Sequence, residues 1–261
     1  MKRFILTLLA VCVLLCSLTA AVYAEEGFLD GDQYTFTDRE GNTVTVPVNA
    51  FASRVIEFIH GDPWRDSAYN TDPQIAIGLP DADSNSSTGD LCLGCGGILI
   101  LGFESSIYDG PGNDIYVFEV GGNVEETLVE VSDDLQHWYE IGVAEGRTAG
   151  LDIFGKVPEG AGFRYVRLTD TGNNPNGGWP GADIDTVCGL NTQNLIPRDT
   201  GDVNGDDAIN AKDIALLQRY VAGWAVLVDE TVADVNRDGA VNAKDIALLQ
   251  RYVAKWDVTL G

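Results

Sequence analysis

The sequence predicts a multidomain chain, in which an N-terminal all-β antiparallel sandwich or jelly roll precedes a small all-α module of two loop–helix repeats. The length of 261 residues favours one or two domains, since a domain takes roughly 100–200 residues. Up to about residue 196, short apolar runs alternate with clusters of Gly, Asn and Asp, which is typical of β-structure. Beyond it, a segment of 13 residues occurs twice without change, which indicates a duplicated unit.

Residues 1–24 have the three parts of a secretory signal peptide. Lys2 and Arg3 form a basic start, an apolar run follows, and residues 22–24 provide the small residues of a cleavage site. The apolar run is short for a membrane span, which needs about 20 residues. We therefore expect a secreted chain without a membrane span after cleavage; an uncleaved membrane anchor is the alternative.

The N-terminal module, residues 25–190, is expected to consist of strands and turns. Four apolar runs are the strand candidates, at 97–103, 114–120, 127–131 and 163–168. Apolar and polar residues alternate along 128–132, as in a half-buried strand. Turn-forming clusters at 109–114 and 171–178 separate the runs, and no amphipathic helix of ten residues stands out. This pattern predicts an antiparallel sandwich or jelly roll.

Two segments of this module, 129–138 and 163–169, resemble discoidin-type, galactose-binding-like sandwiches. The first reads as a strand, an Asp-containing turn and Trp138; the second reads Arg-Tyr-Val-Arg. The resemblance implies a jelly roll whose loops bind glycans, which makes polysaccharide a candidate partner. Trp64 and Trp179 lie beside prolines in polar loops and are the candidates for stacking on sugar rings. The alternative is that they anchor loops on the sandwich, and Trp138 is expected in the core.

Glycine-rich acidic loops of the module suggest a further calcium site. Its candidate ligands are Asp109, Asn113, Asp114, Asp183 and Asp185. Carboxylate and amide oxygens suit calcium. The alternative is that these are solvated turn residues.

Catalysis by the N-terminal module is the second functional hypothesis. A glycoside hydrolase needs two carboxylates about 5–10 Å apart, and the sequence names no such pair, so the catalytic residues are unknown. His60 and His137, the two histidines of the chain, lie near no Gly-x-Ser-x-Gly motif. We expect a non-catalytic binding module; the alternatives are a glycoside hydrolase and a structural or adhesive surface protein.

Three cysteines remain after signal cleavage, Cys92, Cys95 and Cys188. A disulfide between Cys188 and one of the others fits an oxidising compartment. A metal or redox site at Cys92-x-x-Cys95 and plain burial of the thiols are the two alternatives.

After a short linker at 191–199, residues 200–258 contain two loops with calcium-ligand spacing. Side-chain oxygens fall at positions 1, 3, 5, 9 and 12 of each loop, and position 7 supplies a backbone carbonyl, so that six or more oxygens surround one point. The predicted ligands are Asp202, Asn204, Asp206, Ala208, Asn210 and Asp213 in loop 1, and Asp234, Asn236, Asp238, Ala240, Asn242 and Asp245 in loop 2. Position 6 favours glycine for positive φ; Gly239 fits and Asp207 departs. We expect two calcium ions here.

A helical pattern follows each loop. Ile214, Leu217 and Val221 share one face of the first helix, and the residues 32 positions later share the same face of the second. An EF-hand has a helix before its loop as well, and it usually ends the loop with Glu rather than Asp. Each unit is therefore a calcium loop followed by a single helix.

This combination of two loops and two helices, over about residues 199–257, resembles a type I dockerin. The resemblance implies a calcium-dependent module that binds a cohesin domain of a scaffoldin. By that resemblance, the cohesin contacts are Ala211, Lys212, Gln218, Arg219, Ala243, Lys244, Gln250 and Arg251. Many clostridial dockerins have hydroxyl residues where this chain has Ala-Lys. Because both repeats have the same surface, we expect that either one can face the cohesin.

The charge of the chain excludes two classes of partner. Forty acidic and 16 basic residues give a formal net charge of −24. Such a chain repels nucleic-acid phosphates and anionic membrane surfaces. The dockerin resemblance implies a secreted subunit of cellulosome type that acts in polysaccharide catabolism and is held at the cell surface through its scaffold.

Overall fold

The computed structural model describes residues 28–64, 71–81, 89–120, 125–172, 180–194, 199–206 and 208–261. The N-terminal part of these residues consists of antiparallel strands and the C-terminal part of helices, which confirms the predicted fold class. The predicted signal peptide, Trp179 and Asp207 lie outside the described residues.

Thirteen strands are found in the described residues. In chain order they are β1 Phe28–Asp30, β2 Gln33–Thr37, β3 Thr43–Pro47, β4 Arg54–Ile59, β5 Leu91–Cys92, β6 Ile98–Tyr108, β7 Ile115–Glu119, β8 Glu126–Ser132, β9 Tyr139–Glu145, β10 Ala149–Leu151, β11 Gly162–Asp170, β12 Asp183–Gly189 and β13 Gln193–Asn194. The four apolar runs picked from the sequence fall in β6, β7, β8 and β11. Two short 3-10 helices, Val48–Ala50 and Pro73–Ala76, complete this part.

Two larger sheets form the sandwich. One has the order β10-β7-β12-β5; the other has the order β13-β6-β11-β8-β9, with β4 also paired to β6. A buried cluster between them joins Phe103 and Leu168 of the larger sheet to Val117 and Val187 of the smaller one. The alternating apolar residues of these strands thus meet in one core, as the period-2 pattern requires.

A third layer covers the outer face of the four-stranded sheet. It is the sheet β1-β2-β3, whose Tyr34 and Phe36 pack with Phe51 on Tyr116 and Phe118. The ring centroids of Phe36 and Phe118 are 4.9 Å apart, in an edge-to-face arrangement. All five residues of β7 are buried, which explains why its first four residues, 115–118, are hydrophobic or aromatic without alternation.

The repeat module contains three helices in the described residues: α1 Ala211–Val221, α2 Glu230–Ala233 and α3 Ala243–Val253. Leu217 of α1, Leu249 of α3 and Val235 of the second loop are fully buried in its core. Val221, which the sequence placed on the buried face, is 38% exposed at the end of α1. None of the helices in the described ranges is long and apolar enough to cross a membrane.

The segment between the repeats, residues 224–232, contacts the outer face of the six-stranded sheet through Leu227 and Asp229. Leu227 joins an apolar cluster on that face that includes Tyr165. Asp229 is 3% exposed, and its Oδ2 accepts hydrogen bonds from Arg54 Nη2 at 2.7 Å and from the Tyr165 hydroxyl at 2.8 Å. We call Arg54, Tyr165 and Asp229 the Asp229 contact; it joins the two modules independently of the linker.

The Asp229 contact lowers the pKa of the Asp229 carboxyl group. Burial by itself raises the pKa, but the Arg54 charge and the hydrogen bonds from Thr231 and Tyr165 outweigh burial and lower it below its usual 3.8. A depressed folded-state pKa contributes stability that is complete at neutral pH and is lost as the pH falls through that pKa. The contact should therefore persist at neutral and mildly acidic pH.

Replacing Arg54 with alanine should loosen the attachment of the repeat module. The change leaves a buried carboxylate without its ion-pair partner, which costs about 1–3 kcal/mol. We expect faster amide hydrogen exchange in residues 224–232 of the full chain, whereas Lys156→Ala, which removes an exposed charge, should leave it unchanged. Unchanged exchange in Arg54→Ala would show that Leu227 packing alone holds the segment.

Candidate functional site

Loop 1 is folded around its first and last carboxylates. Asp202 and Asp213 are 1% and 0% exposed. Asp202 Oδ1 accepts a hydrogen bond from the Asp206 backbone N–H at 3.1 Å. Asp213 accepts from the Asn204 N–H at 3.1 Å through Oδ1 and from the Asn210 N–H at 2.7 Å through Oδ2. The backbone N–H groups of the loop thus converge on the two carboxylates predicted to be calcium ligands.

Loop 2 repeats these bonds. Asp234 Oδ1 accepts from the Asp238 N–H at 3.2 Å. Asp245 accepts from the Asn236 N–H at 3.2 Å and from the Asn242 N–H at 2.8 Å. The glycine predicted at position 6, Gly239, has φ +85° and donates its N–H to Asp234 Oδ2 at 2.8 Å. The ligand positions, which are the same in both loops, therefore make the same backbone hydrogen bonds, and Gly239 has the positive φ that its position requires.

The last residues of each loop also begin the next helix. Asn210 and Asn242 are the N-caps of α1 and α3, and each forms a capping box with the Asp three residues later. Their side-chain oxygens accept from the Lys212 and Lys244 N–H groups at 2.9 and 3.0 Å. The sequence analysis assigned these two asparagines to metal binding only. The Asn-x-x-Asp spacing before an amphipathic helix also indicates a helix N-cap, and it would have predicted this second role.

The donor set of the loops fits a hard divalent cation. It consists of carboxylate and amide oxygens and backbone carbonyls, without Cys or His, and calcium takes 6–8 oxygens of this kind. The Asn210 and Asn242 side-chain amides donate to the Ala208 and Ala240 carbonyls at 2.7 Å, so the position-7 carbonyl lies beside the position-9 side chain. With Asp at positions 1 and 12, the loops supply charge to balance a divalent ion.

Each repeat pairs a predicted cohesin-contact lysine with a predicted calcium ligand. Lys212 Nζ lies 2.7 Å from Asp206 Oδ2, and Lys244 Nζ lies 2.6 Å from Asp238 Oδ2. The hydrogen bonds from the lysines lower the pKa of Asp206 and Asp238 below its usual value. The pairs are exposed, and exposed pairs of this kind contribute little to stability.

Trp64, one of the two predicted sugar-stacking tryptophans, is half-buried. Its Nε1 donates to the Cys92 carbonyl at 3.1 Å, and its ring stacks on His60 with centroids 4.2 Å apart. One ring face is therefore covered by His60. Trp138 is also half-buried, with the Arg167 guanidinium 4.3 Å from its ring centroid, and packs on the outer face of the sheet rather than in the core.

Of the five residues predicted for a further calcium site, the structure brings Asp109 and Asp114 together. Asp152 joins them, and one carboxylate oxygen of each of the three residues lies within 4.8 Å of the others. The sequence did not predict Asp152 because it lies far from Asp109 and Asp114 along the chain. Asp183 and Asp185 lie apart from this group, on β12.

The buried member, Asp114, already has hydrogen-bond donors. Its Oδ1 accepts from the Gly110 N–H and from Asn191 Nδ2, both at 2.8 Å, and its Oδ2 accepts from the Ile153 N–H at 3.0 Å. Burial raises its pKa despite these bonds. Asn113 places its side-chain amide 3.4 Å from the Tyr116 hydroxyl. These bonds stabilise the turn, and the calcium site that includes Asp109 and Asp114 stays a prediction.

The three cysteines form no disulfide with one another. Cys92 and Cys188 are buried, and Cys95 is partly exposed. Cys92 Sγ donates to the Pro180 carbonyl at 3.3 Å, and burial raises the pKa of its thiol to about 12. Of the three interpretations, burial of the thiols is the one that describes Cys92 and Cys188.

A family model described as the Dockerin type I domain matches residues 200–254, the stretch that contains both loops and all three helices of the described residues. Residues 200–254 are a type I dockerin domain. Domains of this type conventionally bind calcium and imply a cohesin partner in an assembly of cellulosome type. They are typical of extracellular cellulosome components.

Two solved structures resemble part of the chain. One is the C-terminal domain of a chitobiase from Bacteroides fragilis, at 15% identity over 54% of this chain and 93% of that one, with a TM-score of 0.34. The other is titled a glycoside hydrolase, at 13% identity over 58% of this chain and 38% of that one, with a TM-score of 0.27. Such low TM-scores carry no argument about function. Comparison with curated proteins gives no match.

The dockerin presents every predicted cohesin contact to solvent. All eight residues are exposed, four on each repeat: Ala211, Lys212, Gln218, Arg219, Ala243, Lys244, Gln250 and Arg251. The two residues that contact the sandwich, Leu227 and Asp229, are not among them. Both faces of the dockerin therefore stay accessible in the full chain.

Two tryptophans on the dockerin were missed by the sequence reasoning. Trp224 and Trp256 follow α1 and α3, and they are 63% and 64% exposed. The Arg219 and Arg251 guanidinium groups lie 5.7 and 5.9 Å from their ring centroids. The 32-residue repeat contained the signal, because the two tryptophans occupy equivalent positions in the two units.

Proposed function

We propose that the chain is a secreted subunit of cellulosome type, whose dockerin binds a scaffoldin cohesin in a calcium-dependent way and whose β-sandwich binds polysaccharide. The proposed organisation is a signal peptide at 1–24, the sandwich at 25–190, a linker at 191–199 and the dockerin at 200–258. The observation that carries the proposal is the recurrence of the loop ligands at the same spacing, followed by an exactly duplicated helix with its exposed contact residues.

The dockerin binds two calcium ions, one in each loop. The ligands are the side chains at positions 1, 3, 5, 9 and 12 and the Ala208 and Ala240 carbonyls. The loop carboxylates converge from both ends of each loop, and their mutual repulsion is offset by the ion. Calcium thereby fixes the start of α1 and α3, which present the docking residues.

The cohesin contacts lie on the exposed faces of α1 and α3. The basic residues there stand out on a chain with a net charge of −24, and they suit an acidic partner surface. The exposed Trp224 and Trp256 extend these faces with the residue type most often found at binding hot spots. The duplication gives the cohesin two equivalent faces, used one at a time in orientations related by about a half-turn.

The sandwich binds polysaccharide through its loops, with Trp64 and Trp179 as the stacking residues. The free face of Trp64 is the one opposite His60, and its anchored Nε1 holds the ring in one orientation. A rigid aromatic ring loses little conformational entropy when a sugar stacks on it.

The full chain should be retained on an insoluble polysaccharide, and Trp64→Ala should weaken retention about two- to tenfold, because one stacking contact is worth about 0.5–1.5 kcal/mol. Pull-down assays on plant and microbial polysaccharides, with sugar release measured on the same samples, test this. The matched control is Trp138→Phe, because the natural Trp138 ring packs under Arg167. This variant should be retained on the polysaccharide like the natural chain. Release of reducing sugar would favour the hydrolase alternative, and neither retention nor release would favour a surface protein.

A further inference from the structure

The Asp229 carboxylate is bonded on both sides of the boundary between the sandwich and the dockerin. Its Oδ2 accepts from Arg54 Nη2 and from the Tyr165 hydroxyl, which both belong to the sandwich. Its Oδ1 accepts from the Thr231 N–H at 3.0 Å and from the Thr231 hydroxyl at 2.6 Å, which makes Asp229 the N-cap of α2. One buried carboxylate therefore fixes the start of a dockerin helix and holds that helix to the sandwich.

The other end of α2 leads directly into the calcium loops. The backbone N–H of Asp234, the first predicted ligand of loop 2, donates to the Glu230 carbonyl at 3.0 Å and ends the helix. The Gly201 N–H donates to the Val232 carbonyl at 2.9 Å, and the residue after Gly201 is Asp202, the first predicted ligand of loop 1. The four residues of α2 thus connect the beginning of both loops to the sandwich.

A second connection lies two residues before Asp229. Gln136, in the turn between β8 and β9, donates its side-chain amide to the Leu227 carbonyl at 3.0 Å. The Leu227 side chain packs against the buried cluster that includes Ile100 and Leu135 of the sandwich. The outer face of the six-stranded sheet therefore combines polar anchors with an apolar contact for the segment that precedes α2.

This contact and calcium favour the same folded state of the dockerin. A partner that binds the folded state of a module, and not its unfolded state, stabilises the folded state by mass action. Calcium is one such partner, because the loop carboxylates repel one another without it. The outer face of the six-stranded sheet is another, because Asp229 has to cap α2 and reach Arg54 and Tyr165 at the same time. Two partners of one folded state increase the affinity of each other.

We propose that the outer face of the six-stranded sheet acts as a built-in partner of the dockerin and raises the calcium affinity of its two loops. Arg54 and Tyr165 are the positioning residues of the sandwich for this effect, since they act through Asp229 and not on the ion itself. The inference rests on the proposed binding of calcium by the loops. It means that the dockerin folds at a lower free calcium concentration when it is attached to this face.

A calcium titration of the full chain tests the proposal. All three α-helices of the described residues lie in the dockerin, so the helical signal in far-ultraviolet circular dichroism reports on this module. The double variant Arg54→Gln/Tyr165→Phe removes both sandwich donors to Asp229 and leaves every dockerin residue unchanged. We expect the free calcium concentration at the midpoint to rise about fivefold or more, since couplings between two sites are typically of this size.

The matched control is Arg167→Gln. Arg167 lies on β11, as Tyr165 does, but its ion pair is with Glu130 of the sandwich, so this variant should have the midpoint of the natural chain. Gln136→Ala removes an exposed side chain that contributes one bond to Leu227, and it should raise the midpoint by less than the double variant does. Near-ultraviolet circular dichroism in excess calcium shows that each variant is folded.

Amide hydrogen exchange gives the reciprocal measurement. Chelation of calcium should speed up exchange in the turn 133–138 of the natural chain, because Leu135 and Gln136 lose their contacts with Leu227. An unchanged midpoint in both the double variant and Gln136→Ala would overturn the coupling, and so would exchange in 133–138 that does not respond to the chelator. A natural chain whose helical signal does not respond to calcium would overturn the proposed calcium binding together with the coupling.

Discussion

Removal of calcium should unfold the dockerin and abolish cohesin binding. Asp202 and Asp213 are buried together at the two ends of one loop, and Asp245 is buried equally in the other. A module of about 60 residues has a thin core, so the free energy of metal binding becomes free energy of folding. Without the ion the loop carboxylates repel one another, and the helix starts that depend on Asp213 and Asp245 lose their fixed geometry.

The measurement is far-ultraviolet circular dichroism of the full chain with and without a calcium chelator, together with cohesin binding by calorimetry. We expect loss of the helical signal and at least a 100-fold loss of affinity, about 2.7 kcal/mol or more. Asp213→Asn combined with Asp245→Asn should reproduce the loss in the presence of calcium. Lowering the pH below the range in which the carboxylates are ionised should do the same. A helical signal that survives excess chelator would contradict the expectation.

Altering one docking face should barely weaken cohesin binding, whereas altering both should abolish it. Lys212→Asp with Arg219→Asp removes the first face, and the equivalent changes at Lys244 and Arg251 remove the second. If the faces are equivalent, losing one costs only the statistical factor of about twofold, about 0.4 kcal/mol. When both faces are altered, each docking face of the dockerin has negative charges in place of positive ones. We expect the affinity for the cohesin to fall more than about 100-fold.

The structure supports this expectation because both faces are exposed and neither contributes to the packing on the sandwich. Trp224→Ala and Trp256→Ala should follow the same rule, with a small effect singly and a large effect together. Lys156→Asp, on the exposed surface of the sandwich, is the control for a change of net charge. Complete loss of binding after changing a single face would show that only one repeat docks.

The sequence determined the dockerin almost completely, because its information is local. The ligands of one loop lie within twelve residues, and the capping Asn210 and Asp213 lie three residues apart, so spacing alone specifies the loop and the start of the helix. The 32-residue repeat then indicated two copies of one surface. In the sandwich, the apolar runs gave the strands and the fold class, since alternation reports which face of a strand is buried.

Only the tertiary structure decided which distant residues meet. Arg54, Tyr165 and Asp229 belong to three segments whose association no local pattern indicates, and Asp152 likewise lies far along the chain from Asp109 and Asp114. The sequence also did not predict that the sheet β1-β2-β3 packs on β7, because an apolar run does not indicate which element covers each face of a strand. Contacts of this kind depend on the order and register of the strands, which residue spacing along the chain does not specify. They determine which buried charges are paired and how the dockerin is attached to the sandwich.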